Sequence, residues 1–176
     1  MDLKDVVTKR DHVIGPSDAS VIVVEYGDFE CPNCKQAVTA VEMLLDHLDT
    51  KVLFAYRHYP LEQVHPHAVA AAEAAECAGA QGRFWEMHAL LFEHQRALER
   101  AQLIDYAREI GLDVARFVDE LDRRIHLPRV REDSDSGRRS GVRGTPGFFV
   151  NGRRQDVSFG LHQLIDAADA ELKARE

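Results

Sequence analysis

The chain has 176 residues, 45% of them hydrophobic and 30% charged, and a formal net charge of -8. That make-up describes one ordinary globular domain, residues 1–176, long enough to build a core without metal or disulfide staples. The acidic balance argues against nucleic acid as a main partner, and three cysteines are too few for a disulfide scaffold.

The first element is SVIVVEY, Ser20 to Tyr26. A short, β-branched, nearly continuous apolar run of this kind predicts a strand buried on both faces, closed by Gly27 and Asp28. A helix is expected to start at the next cysteines, with Pro32 at its first position and Ala37, Val41, Leu44, Leu45 and Leu48 along one face. KVLFAYRHY, Lys51 to Tyr59, reads as a second buried strand ended by Pro60. Pro66 is expected to open an alanine-rich helix running to Ala78. Further amphipathic stripes carry Phe84, Met87, His88, Leu91 and Phe92, then Leu103, Ile104, Ala107 and Ile110 up to Gly111. Asp113 reads as the N-cap of a short helix carrying Val114, Phe117, Val118 and Leu121. The polar stretch Arg129 to Arg139 is compatible with helix. Arg138, Arg139 and Arg143 are too few to make a nucleic-acid patch, so a solvated surface is expected there. FFV, Phe148 to Val150, followed by Asn151-Gly152, predicts a strand entering a hairpin. A last helix carries Leu161, Leu164, Ile165, Ala168 and Leu172. Strand–helix–strand at the start implies parallel pairing, and the hairpin adds an antiparallel strand to the same sheet. The fold class is therefore α/β, with a helical insertion at about 62–140 between the βαβ unit and the hairpin–helix unit.

The chemistry gathers at EYGDFECPNC, Glu25 to Cys34. Cys31 and Cys34 fall where a buried strand hands over to a helix. A thiol there faces unpaired backbone N–H groups and the positive end of the helix dipole, which stabilise its thiolate. Cys31 is then the candidate nucleophile of disulfide exchange and Cys34, one turn further in, its resolving partner. Pro32 stiffens the turn and Asn33 is a spacer. Glu25, a carboxylate in an apolar strand, either reaches solvent at the strand's end or lies beneath the helix start, where it would exchange a proton with Cys34. Gly144-Thr145-Pro146, just before FFV, is a second feature that could meet the cysteine pair. Zinc is the metal alternative, with His65 and His67 as possible further ligands. Zinc sites usually use a second CxxC or two histidines three to five residues apart, and this chain has neither in suitable context. A purely structural disulfide is weaker still in a reducing setting.

Three stretches, VIVVEYGDFECPNC, RHYPLEQVHPHAVAAAEAAECAGAQGRFWEMHALLF and SGVRGTPGFFVNG, resemble a DsbA-like member of the thioredoxin superfamily over nearly the whole chain. The resemblance implies a thioredoxin fold with a helical insertion, thiol–disulfide oxidoreductase activity and no bound organic cofactor or metal. It makes Cys31 and Cys34 the redox pair, places the superfamily's buried acid at Glu25, and makes Thr145-Pro146 the cis-proline loop. There the Thr145 backbone would pair with an extended substrate chain, and Pro146 would keep metals from the thiols. With Pro32 and Asn33 these residues form the expected substrate-binding surface. Gly147, where many relatives carry a hydroxyl or larger residue, is expected to loosen that loop. The implied partners are protein thiols and disulfides and a separate redox partner.

No apolar h-region stands in MDLKDVVTKRDHVIG, so a cytoplasmic location is expected, or a periplasmic or extracellular one if a native signal has been removed. No membrane span is expected. Cys77 reads as a buried structural thiol, His65 and His67 as surface residues at a helix start, and Phe84, Trp85, Met87 and Phe92 as core. A non-catalytic peptide-binding chaperone on the same fold is the alternative of a different class.

Overall fold

Side-chain alternation in the VIVVEYG strand decides the layering of the molecule. A computed structural model describes residues 2–158 and 160–174. In β2 (Val21–Gly27), Val21 and Val23 join one core cluster while Val24 and Tyr26 join another, as a strand buried on both faces requires. With β1 (His12–Ile14), β3 (Val52–His58), β4 (Gly147–Val150) and β5 (Arg153–Gln155) it forms one sheet in the order β1-β3-β2-β4-β5. β2 and β3 are parallel, and the β1–β3, β2–β4 and β4–β5 pairs are antiparallel. Asn151 and Gly152 take positive φ of 45° and 80°, the conformation that a tight hairpin demands of its two central residues.

One face of the sheet is covered by α1 (Pro32–Leu48) and α7 (His162–Lys173). Helix α1 buries Cys34, Ala37, Val41, Leu44 and Leu48, a stripe spaced to face a sheet. Between β3 and β4 come α2 (Ala68–Gly79), α3 (Phe84–Glu93), α4 (Arg100–Glu109), α5 (Val114–Asp122) and α6 (Leu127–Arg139). The small side chains of α2 let α3, α4, α5 and α6 all pack on it. Asp113 caps α5 by accepting from the Arg116 N–H at 3.0 Å.

Helix α6 is polar by sequence, yet it packs against β2 and β3. Its buried face works through hydrogen bonds and small residues. The Asp133 carboxylate accepts from the His58 N–H at 3.0 Å, and the Tyr26 and Ser136 hydroxyls meet at 2.7 Å. A Cβ at Gly137 would come 2.7 Å from the Tyr59 ring, so glycine is what allows the approach. Arg138 and Arg139 are exposed as expected, paired with Asp135 and Asp5.

Three expectations are corrected. The alanine-rich helix starts at Ala68, with Pro66 in the turn before it and His67 at its N-cap. His65 and His67 are half-buried instead of lying on the open surface. Gly147 does not loosen its loop, because it is paired with Tyr26 in β4 and a Cβ there would sit 3.1 Å from Val142. Strand β1, three partly exposed residues, went unread in the sequence. It is held by Arg57, whose guanidinium pairs with Asp11 at 2.7 Å and donates to the Tyr26 hydroxyl and the Asp5 carbonyl.

Candidate active site

Cys31 stands at the N-cap of α1 with extended backbone, φ -73° and ψ 120°, and Pro32 follows as the first helical residue. Pro32 has no N–H to leave unpaired and its fixed φ suits the helix, which is why the helix begins here. The thiol of Cys31 therefore sits at the N-terminal end of a 17-residue helix, beside the backbone N–H groups of Asn33 and Cys34. Cys34, one turn on, is fully buried, whereas Cys31 keeps a 5% exposed edge. All three cysteines are free thiols.

The loop before β4 closes over this turn. The Thr145–Pro146 peptide is cis, and the Thr145 carbonyl lies 3.3 Å from Cys31 Sγ, accepting from it when the thiol is protonated. A hydrogen bond from the Cys34 thiol does most to lower the Cys31 pKa, to about 5. Burial opposes this, while the Thr145 side chain and the backbone N–H groups of Cys34 and Asn33 add to it. Cys34 moves the other way: burial, its bond to Cys31 and the nearby charges of Glu25 and Cys31 push its thiol far up. Glu25 is buried, and that burial, with the Cys31 charge, raises its carboxyl to about 8. The strand's pleat thus carries Glu25 inward, not to solvent.

Two clefts flank the cysteine turn. One of about 840 Å³ is lined by Asn33, Thr145, Pro146, Gln36, Arg154 and Asp156 among others. A second of about 810 Å³ lies on the other side, against Pro32, Lys35 and Gln95. The six residues Cys31, Pro32, Asn33, Cys34, Thr145 and Pro146 thus come together, with Glu25 beneath.

Sequence reasoning missed Asp28, in the loop between β2 and α1, and Gln95, in the helical segment. Asp28 is buried; its Oδ1 accepts from the Glu30 N–H and its Oδ2 from the Leu61 N–H, each at 2.8 Å, and Oδ2 also meets His65 Nδ1 at 2.7 Å. Partial burial works against charge on His65, but the Asp28 carboxylate, with Cys31 and Glu30 nearby, raises its pKa. Gln95 donates to the carbonyls of Phe29 and Cys31, both at 2.8 Å, and the His67 N–H donates to Glu30 at 2.6 Å. The only signal for Asp28 was its place inside the GDFEC stretch, and Gln95 left none.

Neither His65 nor His67 converges, among the described residues, with the two cysteines into a set that could hold one metal ion. Among the described residues, the His, Cys, Asp and Glu donors that converge are Cys77, Glu120 and His126, with Glu120 already bonded to His126 at 2.8 Å and Arg116 at 2.7 Å. Cys77 is fully buried, and burial with the charges of Glu120, Glu73 and Glu76 pushes its thiol up to about 12.

A mixed sheet in this order, a strand-to-helix CxxC and a facing X–Pro loop define a protein of the thioredoxin-fold class. The chain belongs to the thioredoxin family, whose model matches residues 7–169. Its fold superposes on a thioredoxin-like oxidoreductase of Silicibacter pomeroyi DSS-3 with TM-score 0.83 and 28% identity, covering 94% of each chain. BdbD from Bacillus subtilis follows at TM-score 0.80 and 25% identity, covering 92% of each. The α-DsbA2 of Wolbachia pipientis, 21% identical with TM-score 0.76 over 92% of this chain and 87% of that one, shares the fold. Curated relatives bear another name: the chain is 53% identical over 158 residues to the Na(+)/H(+) antiporter NhaA 1 of Salinispora arenicola, matching 90% of this chain and 24% of that protein. It is 41% identical over 172 residues to the NhaA 1 of Mycobacterium sp. strain KMS, 28% of whose length is matched. The chain thus spans about a quarter of the length of the curated relatives it matches. No helix among the described residues is long and apolar enough to cross a membrane.

Proposed function

We propose that the chain exchanges disulfides with protein thiols through Cys31 and Cys34, and works best as an oxidant. The Cys31 thiolate attacks a substrate disulfide and expels one substrate thiolate, leaving a mixed disulfide. Cys34 then gives its proton to Glu25 and attacks Cys31, which forms the Cys31–Cys34 bond and releases the second substrate sulfur. Oxidation of a substrate dithiol runs these steps in reverse. Asn33, Thr145 and Pro146 line the cleft that would hold the substrate chain, with the Thr145 backbone as its pairing edge.

The observation that carries the reading is Cys31 at the helix N-cap, with Cys34 and Thr145 lowering its pKa to about 5. Magnitudes decide the direction. At pH 7, lowering a thiol from about 9 to about 5 multiplies its thiolate fraction roughly a hundredfold. The same change lowers intrinsic nucleophilicity by about sixtyfold for a Brønsted slope near 0.45, so attack gains almost nothing. As a leaving group, by contrast, the stabilised thiolate departs faster and the reduced form is favoured, which makes the disulfide oxidising.

The test is alkylation of the reduced protein by iodoacetamide across pH 3–10. One thiol, Cys31, is expected to react with a midpoint near pH 5, while buried Cys34 and Cys77 stay silent. A midpoint near 9, or equal labelling of all three, would overturn the reading.

A further inference from the structure

Three strands bring Glu25, Tyr56 and His12 into one row. Tyr56 on β3 is the register partner of Glu25 on β2 and of His12 on β1, so the row crosses the sheet from the redox site to its β1 edge. Tyr56 is fully buried, and its hydroxyl has no protein partner. Nor have His58 Nδ1 and His88 Nε2, which belong to the same cluster: the Tyr56 ring centre lies 4.7 Å from that of His88 and 5.7 Å from that of His58. A buried polar atom without a partner costs about 1–3 kcal/mol, so three in one pocket call for an explanation in function. A Cβ at Gly27 would come 2.6 Å from the Tyr56 hydroxyl, so glycine makes the room for that hydroxyl at the end of β2, four residues before Cys31. On the other side, His58 Nε2 and His12 Nε2 both meet Glu76 Oε1, at 2.8 and 2.9 Å. His12, stacked on Phe84, keeps 20% of its side chain in solvent.

We propose that Tyr56, His58, Glu76 and His12 form a proton path joining buried Glu25 to the surface at β1. The path rests on the reading of Cys34 and Glu25 given above. When the Cys34 thiol yields its proton to the Glu25 carboxylate, the Cys34 thiolate attacks Cys31 and the substrate thiolate leaves from Cys31. The two cysteines lose two electrons to the substrate disulfide, and the substrate thiolates take protons from solvent. One proton stays on buried Glu25. Tyr56 accepts it and passes its own to His58 Nδ1, the unpartnered ring nitrogen of the same cluster. From His58 it moves through Glu76 to His12 and out. The groups facing Tyr56 suit this work: burial, then the charges of Cys34, Glu25, Asp28 and Cys31, hold the hydroxyl protonated. His88 is kept neutral, its pKa lowered to about 3 by burial and the charges of His58 and His12.

The test is Tyr56→Phe, which removes the hydroxyl and keeps the ring. Stopped-flow measurement of Cys34 attack on a preformed Cys31 mixed disulfide with a model peptide, from pH 5 to 10, is expected to show a loss of about tenfold or more below pH 8. The loss should fade above that, where hydroxide takes the proton directly. The Cys31 alkylation midpoint should not move, and the urea midpoint should hold or rise, because an unpaired hydroxyl is gone. A merely structural tyrosine would lower the urea midpoint and leave the pH profile alone. His12→Gln, at the surface end, should reproduce the loss and be rescued by added imidazole. Normal exchange with unchanged pH profiles in both variants overturns the path alone. Absence of any exchange in the unaltered protein overturns the thiol–disulfide reading, and the path with it.

Discussion

Cys31→Ser is expected to lose disulfide exchange by about two orders of magnitude or more at pH 7, because a thiolate is replaced by a hydroxyl that stays protonated. Cys34→Ser should behave differently. It retains the attacking thiolate and so should accumulate the mixed disulfide, visible as a stable adduct with a substrate peptide by mass spectrometry. The asymmetry follows from placement, since Cys31 has an exposed edge at the N-cap and Cys34 is sealed beneath it. A protein that merely bound unfolded chains through the cleft lined by Asn33, Thr145 and Pro146 would suppress aggregation equally well with both cysteines replaced. Full retention of function in the double serine variant would therefore move the chaperone reading to the front.

Glu25→Gln should slow the attack by Cys34 about a hundredfold, the usual scale for losing a positioned base. The pH dependence carries the sign. In the reduced protein the carboxyl is held up to about 8 by burial first and by the Cys31 charge second. In the mixed disulfide Cys31 has no charge, so that part of the rise disappears and more of Glu25 is ionised and ready to act as the base. The unaltered protein should thus show an inflection in the resolution rate at or below pH 8, and the glutamine variant should lack it. Stability obeys the same group. Between about pH 4.5 and 8 the folded reduced state holds a proton that the unfolded chain has released, so Glu25 makes stability fall as pH rises through that window. Glutamine has no proton to lose. Above pH 8 the reduced variant should be the more stable protein in urea, by on the order of several kcal/mol. A variant less stable than its parent at pH 9 would contradict the burial of an unpaired charge.

Much of this architecture was legible because it rests on local signals. β-Branched runs gave away β2 and β3, Pro32 marked the start of α1, and Asn151-Gly152 marked the hairpin. The site's core was legible for the same reason, since Cys31, Cys34 and Glu25 lie within ten residues and the motif names their chemistry. Helix α6 was harder, because it buries Asp133 and Ser136 through hydrogen bonds that hydrophobic periodicity does not register. Strand β1 has no apolar alternation to betray it and is fixed by Arg57 reaching Asp11. Asp28, His65 and Gln95 act on the cysteine turn only after the chain between β3 and β4 has folded back over it. Tyr56 is one apolar-looking letter in a strand, and only the cross-strand register sets it between Glu25 and His12.

The most direct measurement is the equilibrium of the Cys31–Cys34 pair with glutathione, read as a reduction potential at pH 7. The low Cys31 pKa predicts an oxidising pair, with a potential of roughly -120 to -180 mV. A value near roughly -270 mV, that of a reductant, would contradict the account that a stabilised Cys31 thiolate governs this site.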